Sequence, residues 1–352
     1  MYCLRAVNLP VKLKILGRDR ADTAFEARPG EEVAAALEAS AMLHAVLTDL
    51  CGRAEGGPAY RHLSSRWVLR EASRLVGEYA TWFARAGALG SDPSLSSPGA
   101  PPPSVPQPPL EGALSLLLVA LPVPEARRGA AQAFRNLCIR CANLLSQPAG
   151  LRGLMDAVMR IVAPPPSTSE TSASPGRTRP APASPSPPRP SASKSRSSSC
   201  SGYVMLAGSS LALGPEERTA VVEGLGRVVA VLPPESMGDA GVALTAPLVL
   251  RAQALAQAGT SVRVEALSGL AEDLTLLGAA LRFMDFPGNP PPGQAHPALK
   301  VLEHAWPVLA GVAEHPLCQR EPEVVASLCE VYQRALLSAR GSARGLLPTL
   351  IN

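Results

Sequence analysis

PEARRGAAQAFRNLCIRCANLLS, residues 124–146, carries its apolar side chains at helical intervals. Ala130, Ala133, Phe134, Leu137, Cys138, Cys141, Leu144 and Leu145 fall on one face, three or four positions apart. That period predicts an amphipathic helix whose apolar stripe must be covered by a neighbour. The stripe is built largely from small side chains, which let helix backbones approach to roughly 8–10 Å.

Working outward, the same pattern recurs. Upstream, between Leu63 and Ala86, the stripe is Val68, Ala72, Leu75, Val76, Tyr79, Phe83 and Ala86. Downstream, Pro215 followed by Glu216 and Glu217 marks a helix start, with a proline in the first turn and acids near the positive end of the dipole. Val221, Val222, Leu225, Val228, Val229 and Leu232 continue it, and Pro233 and Pro234 end it. A further stripe is Val264, Leu267, Ala271, Leu274, Leu277, Leu281 and Met284. Two more helices are expected at Ala295–His315 and Glu321–Arg340. No alternating strand pattern or Asn-Gly hairpin interrupts them.

Two Pro/Ser-rich inserts divide the helical blocks. Residues 90–109 and 164–210 lack the apolar content for a core and are expected to be disordered. Helical repeats are therefore expected over 1–89, 110–163 and 211–352. With the inserts discounted, helix pairs recur about every 40 residues, the period of HEAT or armadillo units. Each pair can bury its apolar face only on the next pair. The sequence predicts an all-α solenoid of antiparallel helix pairs.

Composition narrows the function classes. Of 352 residues, 46% are hydrophobic but only 4% aromatic, which leaves little for a base-stacking surface. Between Pro164 and Gly202, five basic residues (Arg177, Arg179, Arg189, Lys194, Arg196) face one acid, Glu170. That excess accounts for the whole formal charge of +4, so direct nucleic-acid binding by the helical blocks is not expected. No apolar stretch has the length and purity of a membrane span. The seven cysteines are scattered and odd in number, which fits a reducing compartment.

The chemistry-bearing motifs are few. Cys138-x-x-Cys141 has no second pair or suitably spaced histidines, and both thiols lie on the apolar stripe, so they read as buried core cysteines. His315 and Cys318 flank Pro316 without a carboxylate partner. No hydrolase elbow, zinc-protease or nucleotide-binding signature occurs, so no enzyme, no cofactor and no metal is expected. Trp67, Trp82 and Trp306 are expected to pack between repeats. The run SASKSRSSSCS at 191–201 resembles a short Arg-Ser segment in a solvated linker.

Four collinear stretches resemble a known family. AAQAFRNLCIRCANLL (130–145), with Ala133, Asn136, Cys138 and Cys141, is similar to a helix of the transportin-SR receptors. RWVLREASRLVGEYATWF (66–83), with Leu75, Val76, Gly77 and Glu78, resembles their preceding repeat. PEERTAVVEGLGRVVAVLPPE (215–235) and GNPPPGQAHPALKVLEHAWPVL (288–309) follow in order, and VVASLCEVYQRALL (324–337) fits the continuation. The resemblance implies the transportin-SR and importin-thirteen branch of the importin-β superfamily. Those receptors are α-solenoids that carry protein cargo, serine/arginine-rich splicing factors among it, past nucleoporins, and release it to the GTP-bound Ran GTPase. It implies shuttling between cytoplasm and nucleus.

Two departures shape the expectation. Family members are far longer, so the chain is expected to be a central piece of a longer protein, with the Ran-clasping repeats before Met1. In the family, a helix near this chain's end carries arginines that grip phosphorylated Arg-Ser repeats. Here Cys329, Tyr332 and Leu336 stand where arginines are wanted, leaving Arg334, Arg340 and Arg344 as candidate cargo-binding residues. Glu330 lies four residues before Arg334, a spacing that predicts an ion pair. The alternative is a HEAT-repeat scaffold of a complex unrelated to nuclear transport.

Overall fold

The computed structural model describes residues 45, 65–84, 110–164, 213–257, 264–284, 296–340 and 342. The expected disorder of 90–109 and 165–210, the helical reading of most of 1–64, and Arg344 lie outside them. The described helices are α1 (Arg66–Glu78), α2 (Leu110–Ala120), α3 (Pro124–Arg140), α4 (Ala142–Leu145) and α5 (Pro148–Val162). They continue with α6 (Pro215–Val229), α7 (Pro234–Gln257), α8 (Val264–Leu281), α9 (Pro297–Glu314), α10 (Pro316–Arg320) and α11 (Pro322–Ala339). Among the described residues there is no strand. The fold is an all-α solenoid.

Local sequence explains most of the helix starts. Pro124, Pro148, Pro215, Pro297, Pro316 and Pro322 each occupy the first turn, where the missing N–H costs nothing. Glu125, Glu216, Glu217 and Glu323 follow some of them at the positive end of the dipole. At α9 the imidazole Nδ1 of His296 accepts from the Ala298 N–H at 3.2 Å, satisfying one of the orphan donors.

Two layers follow from which stripes meet. Helices α1, α3, α6, α8 and α11 pack side by side in sequence order, while α7 and α9 pack on each other behind α8. Cross-helix contacts fix the direction of each neighbour. Arg128 lies 3.9 Å from Glu216 and Arg135 lies 2.8 Å from Glu223. Both pairs have the same sequence offset, so α3 and α6 run parallel and in register. For α8 and α11, Thr275 meets Ser327 at 3.1 Å and Ser338 donates to the Leu281 carbonyl at 2.8 Å, again in ascending order. The front-layer helices therefore end along one common edge.

The close approach of α1 and α3 depends on a glycine. A Cβ at Gly77 would lie 2.8 Å from Ala133 Cβ and 2.9 Å from Ala133 Cα. No larger pair fits at that crossing, and the small side chains of the predicted stripe are what admit the contact.

Three expectations are corrected. The stretch 124–146 is not one helix: it stops at Arg140, Cys141 adopts φ −104° and ψ 19°, and α4 is a separate short turn. The upstream helix breaks in the same way at Tyr79, with φ −99° and ψ 16°, before residues 80–84 resume. Trp67 does not pack between repeats. It is 51% exposed, because Leu69, Ala72 and Val76 take the buried side of α1, and Arg70 lies 5.9 Å from its ring centroid instead. Trp82 is buried edge-on against Phe83, and Trp306 meets Tyr332 at 5.8 Å between α9 and α11.

Helix α7 carries no clean stripe to announce it. It is wedged against α6, α8 and α9 on one face, where Gly238, Gly241 and Thr245 are buried among Met237, Leu244, Leu248, Val249 and Ala252. Leu250 is exposed on the other, so the apolar contrast is weak. Pro247 sits inside it and Pro307 inside α9, each removing one backbone donor from its helix.

Candidate protein-binding surface

A groove lies over α8, flanked by the first turns of α6 and α11. It has a volume of about 390 Å³ and is lined by Pro215, Thr219, Glu272, Thr275, Glu323 and Ser327, among others. The side chains on its floor are held in hydrogen bonds. Thr275 Oγ1 donates to the Ala271 carbonyl at 2.9 Å and lies 3.1 Å from Ser327 Oγ. Thr219 Oγ1 donates to the Pro215 carbonyl at 2.8 Å. These back-bonds occupy the hydroxyl protons, and no imidazole lines the groove to act as a base.

Beneath the groove lies a buried charge cluster. Arg218 on α6 is hydrogen-bonded through Nη1 to Glu272 and donates through Nη2 to Asp273 Oδ1 at 2.7 Å. Arg251 on α7 places Nε 3.0 Å from Asp273 Oδ2, an ion contact without hydrogen-bond alignment. Asp273 is only 2% exposed, and burial pushes its carboxyl above the ordinary 3.8, against the opposing pull of Arg251 and Arg218. Two guanidiniums face two carboxylates, so the cluster is neutral and pins three helices together.

Of the arginines expected to bind cargo, Arg334 lies on α11 and Arg340 at its end. Arg334 is paired along its own helix, with Nη2 3.2 Å from Glu330 Oε1, as the spacing predicts. Arg340 is exposed and caps α11 with φ 47°, a left-handed conformation uncommon for a side chain of this size. Tyr332, one of the positions that departs from the arginine pattern, turns onto Trp306, and its hydroxyl pKa is raised by burial.

The sequence-flagged thiols are in the core. Cys138 and Cys141 are buried, and Cys141 Sγ lies 3.8 Å from the Ala80 carbonyl. Burial pushes the Cys141 thiol up to about 12 and Cys138 higher still. Neither has the electropositive setting of a reactive thiolate. Cys318 is buried and Cys329 exposed. Among the described residues no group of three or more His, Cys, Asp or Glu could hold a metal, and no helix is long and apolar enough to cross a membrane.

Sequence reasoning did not find the Arg218–Asp273–Arg251 cluster. Its members lie up to 55 residues apart, and an isolated Arg or Asp on a helix reads as surface. The one available signal was that Asp273 falls between Leu270 and Leu274, on the apolar side of its helix.

No family model and no curated protein sequence matches the chain. Its fold does have a solved counterpart. A structure of importin-13 in its cytosolic state superposes with a TM-score of 0.54 at 15% identity, over 99% of this chain and 32% of that one. The chain thus spans about a third of that structure's length. What the two share is the fold, an all-α helical solenoid.

Proposed function

We propose that the chain is a cargo-binding segment of a nuclear transport receptor related to the transportin-SR and importin-thirteen branch. The observation that supports this reading is the superposition of 99% of the chain on about a third of an importin-13 structure, beside the four collinear motifs of the sequence. The activity is binding alone: protein cargo engages the exposed helix surfaces, and Arg334, Arg340 and Arg344 are the residues proposed to contact it. Repeats outside this chain would engage the Ran GTPase. Coupling between the two sites is reciprocal, so Ran weakens cargo as cargo weakens Ran. Passage through the pore requires nucleoporin contacts, and the protein would shuttle between cytoplasm and nucleus.

The test is competition in permeabilised cells. Excess chain should slow nuclear accumulation of a fluorescent serine/arginine-rich cargo, and immobilised chain should retain that cargo from cytosol. Undiminished import with no cargo retained would overturn the reading and favour a scaffold outside transport.

A further inference from the structure

At the edge where the front-layer helices end, three arginines from three successive helices converge on one ring and one carboxylate. Arg227 in the last turn of α6 and Arg282 just after α8 both lie over Phe283, with Cζ 4.4 and 5.8 Å from its centroid. The ring is 8% exposed and rests on the α6 backbone, where a Cβ at Gly226 would come within 2.8 Å of Phe283 Cδ2. Glu223 takes Arg135 Nε at 2.8 Å and Arg282 Nη1 at 3.8 Å. Arg227 has no carboxylate partner among the described residues. Among the described residues, three guanidiniums thus face one carboxylate, an excess of two positive charges.

Helix dipoles explain why a cation sits at each helix end. They do not explain why two of them share a ring, where Glu223 offsets the charge of Arg282 but not that of Arg227. We propose that Arg227 and Arg282, held over Phe283, form the centre of a docking surface for an acidic protein segment. Both side chains are exposed, Arg227 has its guanidinium over the ring and not in an ion pair, and a guanidinium fork matches a carboxylate bidentately. The α3–α6 register places Ile139, 39% exposed, level with Arg227, and Arg140 beside it. Helices pack roughly 10 Å apart, about three residues of an extended chain, so Asp or Glu at every third position would meet successive helix ends. The ring lies covered beneath the guanidiniums and offers no platform to a base, which disfavours single-stranded nucleic acid. This surface stands independently of the transport reading.

The test is fluorescence anisotropy with a labelled peptide of about twelve residues carrying Glu at every third position. The intact chain should bind it in a salt-sensitive manner, and a version with Lys for Glu should not bind. The double variant Arg227→Ala/Arg282→Ala should bind at least about tenfold more weakly. Arg227→Lys, which keeps the charge and loses the fork, should fall between. Unchanged helical circular dichroism in each variant separates lost binding from lost fold. Equal affinity for the double variant, no binding by the intact chain, or tighter binding of a single-stranded RNA of the same length would each overturn the proposal.

Discussion

Arg218 Nη2 lies 2.7 Å from Asp273 Oδ1, a bond from α6 to α8 inside a core built mostly of Leu, Val and Ala. The carboxylate is shared with Arg251 from α7, so one acid ties two layers at a single point. Removing one partner of such a pair leaves the other charged and dry. Arg218→Ala should therefore cost about 3 kcal/mol, read as a lower midpoint in urea. A change within about 0.5 kcal/mol would mean that water reaches Asp273 when Arg218 is gone.

The same acid sets a pH dependence. Its folded carboxyl pKa lies above the ordinary 3.8, with burial as the dominant cause. In the window between 3.8 and that raised value, the folded state binds more protons than the unfolded state. Relative to Asp273→Asn, the wild type should gain stability as pH falls through this window and stay level above and below it. Loss of stability on acidification through it would show that the two arginines outweigh burial and hold the carboxylate ionised.

Glycine substitutions should sort by what the new methyl meets. At Gly77→Ala the Cβ collides with Ala133 at 2.8 Å, including its backbone, so a loss of about 2 kcal/mol is expected. At Gly224→Ala the nearest atom is Arg135 Cα at 3.1 Å, and about half that loss is expected. Gly129 has nothing within 4 Å and sits inside α3, so Gly129→Ala should stabilise by about 0.5–1 kcal/mol. Thermal unfolding of the three variants gives the order directly.

Cysteine chemistry should follow burial. Alkylation at pH 8 with peptide-level mass spectrometry should label Cys329 within minutes and leave Cys138 and Cys141 intact until the protein is denatured, since both thiols are held far above that pH. Rapid labelling of Cys141 in the native protein would show that the break between α3 and α4 opens.

Ser338 offers a smaller test of the last pairing. Its hydroxyl donates to the carbonyl of Leu281, at the end of α8. The Leu281 carbonyl keeps the Met284 N–H at 3.1 Å, so Ser338→Ala should cost about 0.5–1.5 kcal/mol, the net contribution of one hydrogen bond.

What the sequence by itself determined is the local order. The stripes from Val221 to Leu232 and from Leu267 to Met284 are buried throughout, and α6 begins at Pro215 as its chemistry dictates. Those features depend on residues within one or two turns of each other, where periodicity and first-turn prolines act. The Glu330–Arg334 pair was legible for the same reason. The exposure of Trp67, the break at Cys141 and the burial of glycines and a threonine on the packed face of α7 were not, because each depends on which neighbour covers which side. The groove over α8, the buried Asp273 and the arginines over Phe283 belong to the tertiary structure alone. They come from the parallel register of helices 50 to 90 residues apart, and that register is set by close contacts such as Gly77 on Ala133, to which no local pattern is sensitive.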